Sequence, residues 1–492
     1  MKNRRLTVAL ACFALSLGTF AGNVPGKDKP TLAVADSAKA VDLLAEAFCR
    51  SLVADSQAIS REARAFIDGD MPQPATAFVA KIRKWGDAAS WQAMVWQAWR
   101  RANGMMTADR LPALRSLADS VTGAWTLPAT LEPSARMDYF WGSKGVKPSA
   151  SPSPMYLYLH GSGPRDMEWT YGRRWAMMFK DSPSVYFIPR IPNIGEYYRW
   201  WQLSKQYAWE KLLRQVLSGG VVDANRVYVL GISEGGYGGQ RLASFYADYL
   251  AAAGPMAGGE PLRNAPPENC ANIGFSLLTG ALDYGFYRNK LTQRTAEAFD
   301  SLSRANAPSD ASADSLYRHR VWLMPNRGHS IDYRLTTPWL RTFTRNPYPK
   351  RVMWEDFEMD GRHRRGFYNL CVERRPTAGG DGKDARAYYV MDIKDNDITL
   401  TVSNVEYDVT ERDPQWGIEL NVAKRHTEAS GGQLRIYLND RLVDLNRKVT
   451  VSVNGKKVFS GKLKPSLDDM VSSCKLWFDP YRVFPTSVVV EY

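Results

Sequence analysis

Histidine is scarce in this chain, with five among 492 residues: His160, His319, His329, His363 and His426. Cysteine is equally rare and widely spaced, at Cys12, Cys49, Cys270, Cys371 and Cys474. No Cys-x-x-Cys, His-x-His or His-Glu-x-x-His spacing occurs, so the sequence offers no metal-ligand set and no cofactor is expected. Beyond the N-terminus no stretch approaches the roughly 18 apolar residues of a membrane helix. Blade-like repeats are absent, and so are zinc-finger, helix-turn-helix and RNP patterns, so nucleic acid is not an expected partner. Acidic residues are outnumbered, giving a net charge of +13, but the excess is scattered through arginine-rich patches and reads as a solvated surface.

Met1 to Ala21 has the make-up of a secretory signal: Lys2, Arg4 and Arg5, then the apolar run Leu6 to Leu17, then Thr19-Phe20-Ala21 with small residues where cleavage needs them. The chain is therefore expected to be exported, periplasmic or secreted. Export permits disulfides, and the four cysteines after Cys12 allow three pairings or can stay as buried thiols. The length suggests two or three domains.

Residues 226 to 236 read Arg-Val-Tyr-Val-Leu-Gly-Ile-Ser-Glu-Gly-Gly. A strand-length apolar run, Val227 to Leu230, leads into Gly-x-Ser-x-Gly-Gly, and Gln240 to Leu250 carries helically spaced Leu242, Phe245, Tyr246 and Leu250. Val221 to Asn225 before the strand reads as a turn. Strand, sharp turn and helix in this order put Ser233 where its hydroxyl stands clear and backbone N–H groups point at an incoming carbonyl. Such a serine needs a histidine base and an acid that orients it.

The few histidines narrow the choice of base. His329 follows the apolar stretch Val321 to Met324 in Asn-Arg-Gly-His-Ser, a loop after a strand. His319 precedes that strand, His363 sits among Arg362, Arg364 and Arg365, and His426 lies in a C-terminal β-rich region. The acid should follow the strand before, Phe275 to Thr279, which selects Asp283; Asp300, Asp310 and Asp314 fall in a Ser/Ala/Asp-rich stretch that reads as a surface insertion. The oxyanion donors are expected at the backbone N–H of Glu234 and at Gly161, Ser162 or Gly163, in the small-residue loop after Tyr156-Leu157-Tyr158-Leu159. His160 is expected to hold that loop by hydrogen bonds.

With these residues in place the chain resembles the α/β-hydrolase superfamily, and most closely its esterase branch of polyhydroxybutyrate-depolymerase-like and feruloyl- or acetyl-esterase-like enzymes. The His-Gly-Ser-Gly loop, the Asp-Ala-Asn-Arg-Val-Tyr lead-in and the Gly-Ile-Ser-Glu-Gly-Gly turn carry the likeness, as does Ala251 to Gly259, over roughly residues 131 to 350. The resemblance implies an α/β-hydrolase fold and ester hydrolysis by Ser233, Asp283 and His329 through an acyl-enzyme, on a small-molecule or polysaccharide-linked ester. Gly-x-Ser-x-Gly-Gly-Tyr also resembles prolyl-oligopeptidase-type enzymes, which makes a peptidase or amidase without a propeller the second reading. A non-catalytic carbohydrate-binding protein is the third.

Flanking regions complete the expected layout: signal 1–21, a helical region 22–130, the hydrolase region 131–378 and a β-sandwich 383–492, joined across Gly379-Gly380-Asp381-Gly382. In the helical region Val41, Leu44, Phe48 and Leu52 share one face, as do Trp91, Met94, Val95 and Ala98. This unit is expected to brace the hydrolase or cover its mouth. Tyr197 to Trp209 is unusually aromatic, and Tyr198 and Trp200 are its candidate substrate-stacking members. Asn454-Gly455 between strand patterns predicts a tight hairpin, and Asp392, Asp395 and Asp397 read as another hairpin turn rather than a calcium site.

Overall fold

The computed structural model describes residues 34–57, 84–106, 109–145, 151–193, 199–307, 315–376 and 386–492. The expected signal, Tyr198, Asp310, Asp314 and the 379–382 glycine stretch lie outside the described residues. Two helices come first, α1 (Val34–Gln57) and α2 (Trp85–Met105). They meet along the expected faces: Val41, Leu44 and Phe48 are buried, as are Trp91, Met94, Val95 and Ala98, and Phe48 meets Trp99 edge-on with ring centroids 5.1 Å apart.

A long sheet follows: β1 (Thr122–Thr126), β2 (Arg136–Lys144), β3 (Ser153–Leu159), β4 (Ser184–Pro189), β5 (Val222–Ile232), β6 (Ala252–Met256), β7 (Gly274–Gly280) and β8 (His319–Met324). Its spatial order is β1-β2-β4-β3-β5-β6-β7-β8; β2 is antiparallel to its neighbours and β4 through β8 run parallel. The intervening helices are α3 (Arg165–Met178), α4 (Leu203–Gly219), α5 (Glu234–Phe245) and α6 (Arg288–Ala305), and α7 (Thr336–Leu340) follows β8. This is the α/β-hydrolase arrangement. Strands β3 to β7 are almost wholly buried, as parallel strands covered on both faces must be.

Two local readings change. Val222 to Asn225, read as a turn, begins β5, because Ser153 pairs with Val222 across a register shift in β3. The Ser/Ala/Asp-rich stretch read as an insertion begins inside α6, which carries Asp300 and buries Leu291, Thr295 and Phe299 at four-residue spacing; its part at 308–314 lies outside the described residues.

The remaining strands are β9 (Arg351–Asp356), β10 (Gly366–Phe367), β11 (Leu370–Arg374), β12 (Arg386–Lys394), β13 (Asp397–Arg412), β14 (Glu419–Glu428), β15 (Gln433–Leu438), β16 (Lys448–Val453), β17 (Lys456–Lys462) and β18 (Thr486–Glu491), with helix α8 (Leu467–Trp477). They form one sheet ordered β17-β16-β13-β12-β9, with β14 on β13, and a second ordered β10-β11-β15-β18. The sheets pack through Trp354 stacked on Phe367 at 5.4 Å. Strands β9 and β11 thus pair with strands beyond the 378–383 boundary expected from sequence, and β10 pairs with β11. The β16–β17 hairpin turns at Asn454 (φ 46°) and Gly455 (φ 78°), and the β12–β13 hairpin at Asp395 (φ 53°).

A buried ionic chain ties the C-terminal sheets to the eight-stranded sheet. Asp248, just after α5, accepts from Arg364 and, at 2.5 Å, from Arg482; Asp479 accepts from Arg482 at 2.8 Å and Arg345 at 2.7 Å. Helix α2 adds a brace, with Gln92 donating to the Val483 carbonyl at 2.6 Å and Arg100 to the Ser218 carbonyl at 3.0 Å. The four cysteines within the described residues are free thiols, and burial pushes Cys270 and Cys371 up to about 12. No helix among the described residues is long and apolar enough to cross a membrane.

Candidate active site

Strand β5 ends at Ile232 and α5 begins at Glu234, so Ser233 is the whole connection. Its backbone is left-handed, φ 56° and ψ −115°, a strained conformation for a residue with a side chain. Glycines let the chain turn this tightly. A Cβ on Gly235 would overlap the Leu159 carbonyl of β3, and one on Gly236 the Met256 carbonyl of β6.

His329 and Asp283 reach Ser233 from neighbouring strand ends. The Ser233 hydroxyl donates to His329 Nε2 at 3.0 Å, and His329 Nδ1 donates to Asp283 Oδ2 at 2.7 Å. Asp283 follows β7 and His329 follows β8, so parallel neighbours deliver both to the same edge of the sheet. A residue not singled out from sequence completes the line. Arg288, at the start of α6, donates Nε to Asp283 Oδ2 at 2.9 Å and Nη2 to Oδ1 at 2.6 Å. Burial pushes the Asp283 carboxyl up, but the hydrogen bonds from His329 and Arg288 outweigh it and hold the carboxyl below its usual range.

The other histidines lie elsewhere. His160 is buried; its Nδ1 donates to the Gly161 carbonyl at 2.8 Å and its Nε2 accepts from Ile191 N–H at 3.2 Å, while burial drives its pKa down to about 4. His319 pairs with Asp300, His363 with Asp356, and His426 meets Ser403.

Glu234 opens α5, so its N–H has no partner within the helix. In the facing loop the Gly161 N–H bonds to Glu168, and of the three expected loop positions Ser162 lines the cavity beside Ser233. The Glu234 side chain is buried there; burial, partly opposed by Arg199, raises its pKa to about 7.

Trp200 is corrected from a substrate-facing to a structural residue. It is fully buried, its indole N–H donates to the His160 carbonyl at 2.9 Å, and it packs against Gly238 of α5. The next residue, Trp201, is half-buried and lines the cavity with Arg241 stacked 3.8 Å over its ring.

The cavity measures about 550 Å³. Ser162, Ser233, Glu234, Tyr237, Phe286 and Arg288 line it, and Arg412, Trp416 and Glu419, from the turn joining β13 to β14, add a further stretch of wall. Sequence carries no signal for that last wall. Its residues lie in a strand hairpin whose approach to Ser233 depends on how the C-terminal sheets dock. A second cavity, of about 1100 Å³, lies between α2 and α4 and is lined by no member of the Ser233 line. Helices α1 and α2 contribute no described residue to the wall beside Ser233. No group of three or more His, Cys, Asp or Glu poised to hold a metal ion is present among the described residues.

No protein-family model matches the sequence, and no curated protein matches it. Among solved structures, the chain is similar to a thermostable esterase at 18% identity and TM-score 0.35, covering 46% of this chain and 64% of that one. It is similar to a Bacteroides ovatus protein described as a dipeptidyl aminopeptidase IV at 14% identity and TM-score 0.34, covering 45% of this chain and 34% of that one. A ferulic acid esterase matches at 13% identity and TM-score 0.32, over 45% of this chain and 97% of its own. The chain therefore spans less than two thirds of the first two proteins' length. Likenesses this distant assign no activity.

Proposed function

We propose that the chain is an exported serine hydrolase that cleaves a carboxylic ester through an acyl-enzyme. The observation that carries this reading is the continuous line Ser233 Oγ, His329 Nε2, His329 Nδ1, Asp283, with links of 3.0 and 2.7 Å, at a strained strand-to-helix turn facing a cavity. Ser233 attacks the ester carbonyl as His329 takes its proton. Asp283 keeps the imidazole in the tautomer that accepts at Nε2 and stabilises the imidazolium. The Glu234 N–H and the Ser162 backbone N–H receive the oxyanion. His329 returns the proton to the leaving alkoxide, which departs as the alcohol, and then activates water to release the acid. Export rests on the Met1 to Ala21 pattern.

A fluorophosphonate probe is expected to label Ser233, and Ser233→Ala to lower ester turnover by a factor on the order of 10⁶. A folded protein that resists the probe and keeps wild-type turnover as Ser233→Ala overturns the reading. Amide counterparts of the best ester substrate separate esterase from peptidase.

A further inference from the structure

The β13–β14 hairpin is remote in sequence from Ser233 yet lines the same cavity. Two large aromatic side chains stand in solvent where it does so. Trp416 is 59% exposed and Phe286 51%, and their rings meet with centroids 5.4 Å apart at 61°. Exposed rings side by side at a cavity mouth add little to folding but offer faces to a planar or sugar ring.

The turn that presents Phe286 is strained. Phe286 and Tyr287 both have positive φ, 51° and 57°, which aromatic side chains rarely adopt. The hairpin holds this shape: Tyr287 donates its hydroxyl to Asp413 Oδ1 at 2.7 Å, and Asp413 Oδ2 accepts from the Trp416 N–H at 2.5 Å. Strain maintained from a second structural unit, beside Asp283, points to a function for the turn.

The lining is also rich in paired charge: Arg241 pairs with Glu260, Arg288 with Asp283, and both Arg263 and Arg412 with Glu419. The lining carries five arginines and three glutamates. Arg412 sits at the hairpin end of the cavity with a half-exposed side chain. It donates to the Gly417 carbonyl and to Glu419, both at 3.0 Å, which uses two of the five N–H donors of a guanidinium.

We propose that this wall is a substrate subsite for the part of the ester that carries a ring and a carboxylate, with the ring against Phe286 and Trp416 and the carboxylate at Arg412. The proposal rests on the Ser233 hydrolase reading and names its substrate class. An aromatic acid and a uronic sugar share this chemistry.

Matched esters test it: 4-carboxyphenyl acetate against phenyl acetate, and acetylated glucuronic acid against acetylated glucose. The acidic member of at least one pair should show the higher kcat/KM, and the pair that does identifies the source. Arg412→Gln should cut that preference about tenfold, as loss of a charge-assisted contact does. Glu419→Gln, which removes a competing carboxylate, should raise it. Calorimetry on Ser233→Ala reads the same subsite without turnover: 4-hydroxybenzoate should bind more tightly than 4-hydroxybenzamide, or glucuronate more tightly than glucose. Loss of fluorophosphonate labelling overturns the hydrolase reading alone. Equal binding and equal turnover of acidic and neutral members, or an Arg412→Gln loss shared equally by both, overturns the subsite.

Discussion

Arg288 binds both carboxylate oxygens of Asp283, at 2.6 and 2.9 Å, while His329 donates to one of the same two oxygens. The acid of the site is thus fixed in rotation by a planar fork and kept ionised by a full positive charge.

Arg288→Gln should therefore have a signed effect on the pH profile. The Asp283 carboxyl is held low, so whatever depends on its charge is present above its pKa and lost as pH falls through it. Without Arg288 that pKa rises. The acid limb of kcat/KM should move to higher pH, and turnover at neutral pH should drop about 10–100-fold from the lost charged hydrogen bonds. Arg288→Lys, which restores charge without the fork, should recover the pH limb more fully than the rate. Rate profiles of the three proteins decide it.

Gly235→Ala should destabilise the protein and disable it together. The added Cβ would strike the backbone carbonyl of Leu159, which has no rotamer by which to yield. A loss of about 1–3 kcal/mol is expected from overpacking, read as a lower urea midpoint with little change in slope. The loop bearing His160 and Ser162 follows Leu159, so activity should fall further than the loss of folded protein explains.

Asp248→Asn should show how the two units are held. Burial pushes the Asp248 carboxyl up, but Arg364 and Arg482 outweigh it and hold it low. Removing its charge leaves two buried guanidinium groups poorly compensated, a change worth about 3–5 kcal/mol. In the wild type this contribution is present above the ordinary aspartate range and is lost as pH falls through the lowered folded pKa. Denaturation curves of wild type and variant should converge at strongly acidic pH and separate near neutrality.

Glu234→Gln should have the opposite signature. Burial raises this carboxyl to about 7, with Arg199, Glu260 and Arg241 making smaller contributions. The folded state therefore holds a proton that the unfolded state gives up, and stability falls as pH rises from the ordinary glutamate range to about 7. The variant removes that slope and should gain on the order of 1–3 kcal/mol over wild type at pH 8 relative to pH 5. Thermal melts at the two pH values measure it.

Much of the sheet is legible in the chain because its signals are local. Apolar runs of strand length, glycines at tight turns and four-residue spacing on helices each depend on residues a few positions apart. Five histidines reduce the choice of base to one position after a strand, and the parallel order of β5, β7 and β8 then carries Ser233, Asp283 and His329 to one edge. Trp200 shows the limit of such reasoning. Its aromatic neighbourhood indicates a cluster, but which indole reaches the cavity depends on the close approach of Gly238, which buries Trp200 and leaves the cavity wall to Trp201.

The sequence by itself determines the strand–turn–helix at Ser233, its two partners and the α/β class, since backbone geometry and periodicity are written in near neighbours. Only the tertiary structure decides that Arg288 grips Asp283, that β9 to β11 join the C-terminal sheets, and that Arg412 and Trp416 line the same cavity as Ser233. Those contacts arise from side-chain packing, strand pairing and charge pairing between units, and Asp248 and Arg482, 234 residues apart, have no local pattern that could announce them.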